Sequence, residues 1–284
     1  MIHPVRIAHR GASGRGLAPE NTLAAFERAI QTGVDAVELD VHGTRDGRVV
    51  VIHDPTLDRT TDRTGAVREL TFEQVREADA GAWVGSQFRG ERVPSLEEVL
   101  DLVRHRALAL IEIKGDYLAE RVLRVVDDLD ASTQVVLQSF NPETVRRVKV
   151  LEPTLPTALL VGKLPTTPSR IRARRMVKEV LQVGANALAI WHAVLTPQFF
   201  EEMRKRAVAV WTWTVDEEVI MRDMVQLGVQ GVITNYPDRL NQVLADLEIE
   251  GAVVAPPGRY QRLQQTRWSR RRQIRKLSRS RRRG

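Results

Sequence analysis

Eight short, almost wholly apolar runs recur along the chain, most with a helix-like segment behind them. They are "VRIA" (5–8), "DAVELDV" (35–41), "ALALIEI" (107–113), "QVVLQS" (134–139), "PTALLV" (156–161), "NALAIW" (186–191), "VAVWTW" (208–213) and "GVIT" (231–234). A strand apolar on both faces must be covered on both faces, as in a parallel sheet wrapped by helices. The segments between carry helix punctuation. "NTLAAFERAIQTG" offers Asn21 or Thr22 as N-cap and Gly33 as a stop. "SLEEVLDLVRH" pairs Ser95 with Glu98, a capping box. "TPQFFEEMRKRA" and "DEEVIMRDMVQLG" read the same way. Eight strands alternating with helices in 284 residues predict an α/β fold, a (β/α)8 TIM barrel, with a doubly wound open sheet as the alternative.

Residues 42–94 break the rhythm. A hairpin over 41–52 turns at Asp46-Gly47, and a stretch rich in Thr, Arg, Asp and Gly follows, long for a strand-to-helix connection. We read it as a small insertion subdomain after the second strand, over the barrel mouth, with "TFEQVREAD" as its short helix. The barrel then spans 1–247. Residues 248–284 form a linker and a basic tail, read as a disordered, solvated arm.

Charge separates the tail from the body. Residues 259–284 hold 12 Lys and Arg and no acid. Removing those 12 from the chain's 43 leaves 31 basic residues against 36 acidic ones, a net of −5. Any contact with an anionic membrane surface, with Trp268 at the interface, would therefore belong to the tail alone, as the alternative to a solvated arm. Nucleic acid binding is not expected, because the body is acidic and the tail interleaves few aromatics. There is no cysteine, which excludes disulfides and thiolate metal sites. The start, "MIHPVRIAHRG", lacks a signal-peptide apolar stretch, and no run has the length of a membrane span. The expected location is cytoplasmic, with membrane association through residues 259–284.

Functional residues of such barrels sit at the C-terminal ends of the strands. Those ends are unusually polar here: His9 and Arg10, then Glu38 and Asp40, then His53-Asp54 after the hairpin, then Glu112 and Lys114, then Gln138 and Ser139. A single Glu-x-Asp or a single histidine at a strand end is common and needs no function. Repetition at one rim is harder to explain that way. Residues two apart share a strand face, so Glu38, Asp40 and Glu112 can converge. Crowded carboxylates repel and take up protons unless a cation joins them. All-oxygen donors suit one divalent ion, Mg²⁺ or Ca²⁺, with Mn²⁺ also accommodated. His9 and His53 can move protons near neutral pH, while Arg10 and Lys114 add positive charge. Together these groups suit a phosphodiester. Trp213, at a strand end, is expected in the pocket wall. His42 and His192 lie near the rim; His3 before the first strand and His105 in a helix are expected at the surface.

The motifs "HRG", "PENT", "ExD", "HD" and "IEIK", in that order, resemble the glycerophosphodiester phosphodiesterase family, as do "VPSLEEVL", "QSF", "WTWTVD" and "GVQGVITNYPDRL". The resemblance spans roughly residues 5–245. It implies a (β/α)8 barrel with a subdomain inserted between the second and third units. It also implies His9 and His53 as the catalytic acid/base pair and Glu38, Asp40 and Glu112 as metal ligands. Arg10 and Lys114 match phosphate-contacting residues, and Glu20 and Asn21 of "PENT" match a polar rim network. Two departures stand out: Asp216 where the family often has Asn, and Asn235 where Asp is common. The implied reaction splits a small phosphodiester substrate into glycerol 3-phosphate and an alcohol. An alternative on the same plan is a lysophospholipase D acting on lysolipids, with Phe72, Trp83 and Phe88 lining an apolar groove.

Overall fold

The computed structural model describes residues 3–164 and 169–249; the expected basic arm at 259–284 lies outside them. All eight apolar runs form strands: β1 (Val5–His9), β2 (Ala36–Gly43), β4 (Leu108–Ile113), β5 (Val135–Ser139), β6 (Thr157–Val161), β7 (Ala187–Trp191), β8 (Ala209–Trp213) and β9 (Gly231–Thr234). They pair in parallel, and β1 meets both β2 and β9, so the sheet closes into a barrel rather than staying open. The ninth strand, β3 (Val49–Val51), lies antiparallel on β2 as the returning arm of the hairpin, with Val41 opposite Val51.

Helices follow as the punctuation requires. Thr22, not Asn21, caps α1 (Leu23–Gln31). Capping boxes open α2 (Phe72–Arg76) with Thr71 and Gln74, and α3 (Leu96–Val103) with Ser95 and Glu98. The ring continues through α4 (Ala119–Asp128), α5 (Pro142–Leu151), α6 (Arg170–Gln182), α7 (Pro197–Arg204), α8 (Glu218–Leu227) and α9 (Pro237–Ile249). His105 is not helical as expected; it lies past α3 at φ 57, in the turn that ends the helix. Among the described residues no helix is long and apolar enough to cross a membrane.

Strand alternation divides the core into two layers. On β2 and β4 the outward residues Val37, Leu39, Val41, Ala109, Ile111 and Ile113 pack with helix residues such as Phe26, Leu96, Val99 and Val122. Leu39 is fully buried there, and truncating such a leucine to alanine costs about 2–5 kcal/mol. Ile7, Ala36, Leu110 and Ile233 point inward and fill the bottom of the barrel. Residues of the same parity, one or two steps further along each strand, reach the rim.

Between β2 and α3 a separate apolar cluster gathers Val50, Ile52, Leu57, Val67, Val75, Ala78, Ala80 and Val93. Asp79 ties the loop behind it, accepting backbone N–H bonds from Gly81, Ala82 and Gly90 at 2.8–2.9 Å.

Candidate active site

The inward parity turns polar at the rim. Ile7 is followed by His9, Ala36 by Glu38 and Asp40, and Leu110 by Glu112 and Lys114. Strand register sets them side by side: His9 is opposite Glu38, Asp40 opposite Glu112, and Glu112 opposite Gln138. Glu38, Asp40 and Glu112 are all buried, and each offers an oxygen within 4.8 Å of the others.

Two cations thread this cluster. Lys114 Nζ lies 2.7 Å from Glu112 and 2.8 Å from Asp40 Oδ1; Arg10 Nε lies 3.1 Å from Asp40 Oδ2. Apart from these ion pairs, neither Asp40 Oδ1 nor Arg10 Nε has a hydrogen-bond partner. Burial and its two carboxylate neighbours push Glu38 well above the usual range. Burial also dominates Glu112 and pushes it up to about 7, although Lys114 opposes. Burial would raise Asp40 too, but Lys114 and Arg10 outweigh it and hold Asp40 below the usual range.

Backbone strain sits at the same place. Arg10 adopts φ 55, in the left-handed region, and its N–H donates to Glu38 Oε2 at 3.1 Å. Gly11 follows at φ 82, where a Cβ would lie 2.6 Å from the Ala25 backbone. Only glycine fits that tight exit from the strand. Gln138 Nε2 donates to the other oxygen of Glu38 at 3.2 Å.

Both catalytic candidates come to this cluster. His9 Nε2 is 4.0 Å from Glu38, and its Nδ1 is 2.7 Å from Asn235 Oδ1. Burial, helped by Arg10, lowers His9 to about 4, so its imidazole is neutral at pH 7. His53 is also lowered, chiefly by burial, with Asp40 and Asp54 opposing. Its Nδ1 sits 2.6 Å from Asp54, and its carbonyl is 3.0 Å from His42 Nε2.

A cleft of about 140 Å³ opens among these groups. His9, Arg10, Glu38, His53, Glu112, Lys114 and Gln138 line one side, Phe140, Leu160 and Trp213 the other, and Ile233 belongs to the floor. Trp213 stands in the wall as expected, edge-on to Phe140 at 5.5 Å, with its Nε1 bonded to the Ala189 carbonyl. Phe72, Trp83 and Phe88 do not line it. Phe72 lies beneath Arg48 instead, and Trp83 is half exposed, its Nε1 bonded to the Ala80 carbonyl. A larger cleft of about 550 Å³, at the opposite end near His3, Arg6 and Asp35, has no comparable carboxylate cluster among the described residues.

Four supporting residues had no role in the sequence reading, or a lesser one. Asn21 is a direct partner of Asp40, donating to Oδ2 at 2.9 Å and accepting from its backbone N–H at 3.3 Å. Arg59 spans two acids: it reaches Asp54 at 2.7 and 3.1 Å and Glu20 at 2.8 and 2.9 Å. Since Asp54 holds His53, and Glu20 holds Arg10 at 2.7 Å, Arg59 bridges a proton-moving candidate and a phosphate-binding one. Its hydrogen bonds are the main reason Asp54 lies well below the usual carboxylate range. Asp216 and Asn235, the two departures, touch each other at 2.7 Å. The local cue for Arg59 is weak: an arginine five residues beyond a His-Asp pair.

Residues 9–239 match the sequence profile of the glycerophosphoryl diester phosphodiesterase family. A glycerophosphodiester phosphodiesterase of Caldanaerobacter subterraneus subsp. tengcongensis is 37% identical over 240 residues, covering 82% of this chain and 95% of the relative. One from Bacillus subtilis (strain 168) is 33% identical over 264 residues, covering 86% and 88%. The crystal structure of the Agrobacterium tumefaciens glycerophosphodiester phosphodiesterase superposes with a TM-score of 0.71 at 30% identity, covering 82% of this chain and 97% of that one. A phosphodiesterase from Oleispira antarctica, in complex with its product sn-glycerol-3-phosphate, gives 0.75 at 26% identity, covering 86% and 97%. The rim chemistry thus sits on a shared barrel along nearly its whole length, and the chain belongs to the glycerophosphoryl diester phosphodiesterase family and is an enzyme of that type.

Proposed function

We propose that this cleft hydrolyses a glycerophosphodiester to glycerol 3-phosphate and an alcohol, using a divalent cation and a pair of histidines. The observation that carries the reading is the meeting of Glu38, Glu112, two imidazoles, Arg10 and Lys114 around one cleft, with Asp40 completing the buried carboxylate cluster behind it. The product held by the Oleispira antarctica relative supports the same substrate class.

The donor set fits a hard cation. Glu38, Asp40 and Glu112 are oxygen donors suited to Mg²⁺, Ca²⁺ or Mn²⁺. Buried Asp40 Oδ1 has no partner beyond the Lys114 ammonium, and Glu38 and Glu112 are pushed toward their protonated forms. When bound, the cation supplies positive charge against a phosphoryl oxygen.

The chain's own groups do the rest. Arg10 and Lys114 hold the phosphate oxygens against the polar wall. His9, neutral at pH 7, takes the proton of the attacking hydroxyl at Nε2. His53, in its protonated form held by the Asp54 carboxylate, gives its proton to the departing alkoxide, and loss of the His9 proton to solvent with uptake of one at His53 resets the pair. The alcohol leaves past Phe140, Leu160 and Trp213.

We read residues 42–94 as a subdomain inserted in the 1–247 barrel, and their separate apolar cluster supports that. The lysolipid alternative loses its groove, because Phe72, Trp83 and Phe88 stand outside the cleft. For the basic tail we retain contact with anionic membranes. Vesicle co-sedimentation of the full chain against a 1–258 truncation checks it, and equal binding contradicts it.

Supplying the purified full chain with glycerophosphocholine and with lysophosphatidylcholine tests the function directly. Release of glycerol 3-phosphate from the first, at the higher kcat/KM, is expected. Faster cleavage of the lysolipid overturns the assignment.

A further inference from the structure

Asn235 stands one step past β9, on the inward parity of Ile233, and its amide is gripped at both ends. Its Nδ2 donates to Asp216 Oδ2 at 2.7 Å. The other oxygen of Asp216 accepts from the Asn235 backbone N–H at 2.9 Å and from Thr234 Oγ1 at 3.1 Å. A carboxylate accepts and does not donate. The NH₂ end of the Asn235 amide must therefore face Asp216, and Oδ1 must face the other way.

That oxygen points at His9 Nδ1, 2.7 Å away. Ser13 Oγ is also near, 2.9 Å from Asn235 Oδ1 and 2.7 Å from the His9 carbonyl, sharing one proton between them. An amide oxygen only accepts, so Nδ1 must carry the ring proton. The lone pair is then left on Nε2, the nitrogen that faces Glu38 and the cleft. Free neutral histidine favours the opposite tautomer, with the proton on Nε2, so the protein must impose this one.

We propose that Asp216, acting through Asn235, locks His9 in the Nδ1–H tautomer and so keeps Nε2 open as a proton acceptor. Neither residue lines the cleft; both are positioning residues. The proposal rests on the reading of His9 as a proton acceptor given above. It also gives the contact between Asp216 and Asn235 a purpose that pinning two neighbouring loops does not. A loop pin needs only the two bonds from Asp216 Oδ1 to Asn235 N–H and Thr234; the bond to Asn235 Nδ2 is the one that orients the amide.

The test is long-range ¹⁵N–¹H spectroscopy of the histidine rings in full-length, ¹⁵N-histidine-labelled protein at pH 8, with His9 assigned by comparison with His9→Gln. The wild type is expected to show a protonated Nδ1 and a bare Nε2 at His9. Asp216→Asn frees the amide to turn over, so His9 should move to mixed tautomers. With glycerophosphocholine, kcat should then fall by about 10–100-fold, as supporting partners of a reactive centre typically do, with KM little changed. The exchange variant, Asp216→Asn with Asn235→Asp, sets a carboxylate directly at Nδ1 and should restore both the Nδ1–H signature and most of kcat. Should the single variant not fold, the exchange variant still decides through its His9 spectrum. A proton found on Nε2 in the wild type or the exchange variant overturns the proposal, as does an unchanged His9 spectrum in Asp216→Asn. A tautomer that shifts while kcat stays at wild-type level supports the lock and overturns the proton-acceptor reading instead.

Discussion

The inner face of the barrel is two surfaces built on one repeat. On β9, β1, β2, β4 and β5 the inward parity runs from an apolar floor into Asn235, His9, Glu38 and Asp40, Glu112 and Lys114, and Gln138. On β6, β7 and β8 it stays apolar: Ala158 then Leu160, Ala187 then Ala189, and Trp211 then Trp213. The parallel strand repeat is common to both sides, so the side chains at its rim divide the labour. The polar half crowds like charges, costly without counter-charge, and it is threaded by Arg10 and Lys114 and braced from outside by Arg59, Asn21 and Asp216. The apolar half needs no such bracing. Chemistry should therefore be lost from the first surface and selectivity from the second.

Four experiments can break or sharpen that contrast. The largest effect belongs to the imidazoles: His9→Ala or His53→Ala should lower kcat by about 10²–10⁴-fold, on every phosphodiester alike. Wild-type kcat in either variant would remove the chemistry from the polar half. Next comes the outer brace. Arg59→Met releases both Asp54 and Glu20, and should cost about 10–100-fold in kcat/KM with unchanged secondary structure by circular dichroism. An intact rate would mean that His53 and Arg10 hold their positions without it.

A smaller, different change is expected opposite. Trp213→Ala removes the edge-on partner of Phe140, a contact of about 0.5–1.5 kcal/mol, hence tenfold or less. It should act mainly on KM and alter the ratio between alcohols of different size. A uniform kcat loss would erase the distinction between the halves.

The smallest effect is thermal. The folded Glu112, near pKa 7, keeps a proton that the unfolded chain, near 4.5, gives up. Without a cation this group therefore weakens folding as pH rises from about 4.5 to 7. A cation takes the proton's place, so the gain in Tm on adding Mg²⁺ or Ca²⁺ should be larger at pH 8 than at pH 5.5. Equal gains at both values would contradict metal binding at this cluster.

Much of the polar half was legible in the sequence, because period-two spacing and a strand end are local signals. Glu38 with Asp40, Glu112 with Lys114, and His9 could be placed on one rim from the alternation alone. The contacts of the outer braces were not legible, although the "PENT" resemblance put Asn21 in a polar rim network. Arg59 lies 39 positions from Glu20, and Asn235 lies 226 from His9, distances that no local pattern spans. Asn21 could be read as a helix cap next to Thr22. In the structure Thr22 takes that role, and Asn21, at φ 57, turns to Asp40 instead. The aromatics of 55–94 misled for a similar reason. Their apolar character was plain, but which way Phe72 and Trp83 faced depended on Arg48 and the Ala80 carbonyl.

The central claim is that the polar half works only as a cation-bearing site. The direct measurement is glycerol 3-phosphate release from glycerophosphocholine by the full chain, first stripped with excess chelator and then resupplied with Mg²⁺, Ca²⁺ or Mn²⁺. The account predicts loss of turnover on stripping and its return with at least one of these ions. Full activity in excess chelator would contradict it.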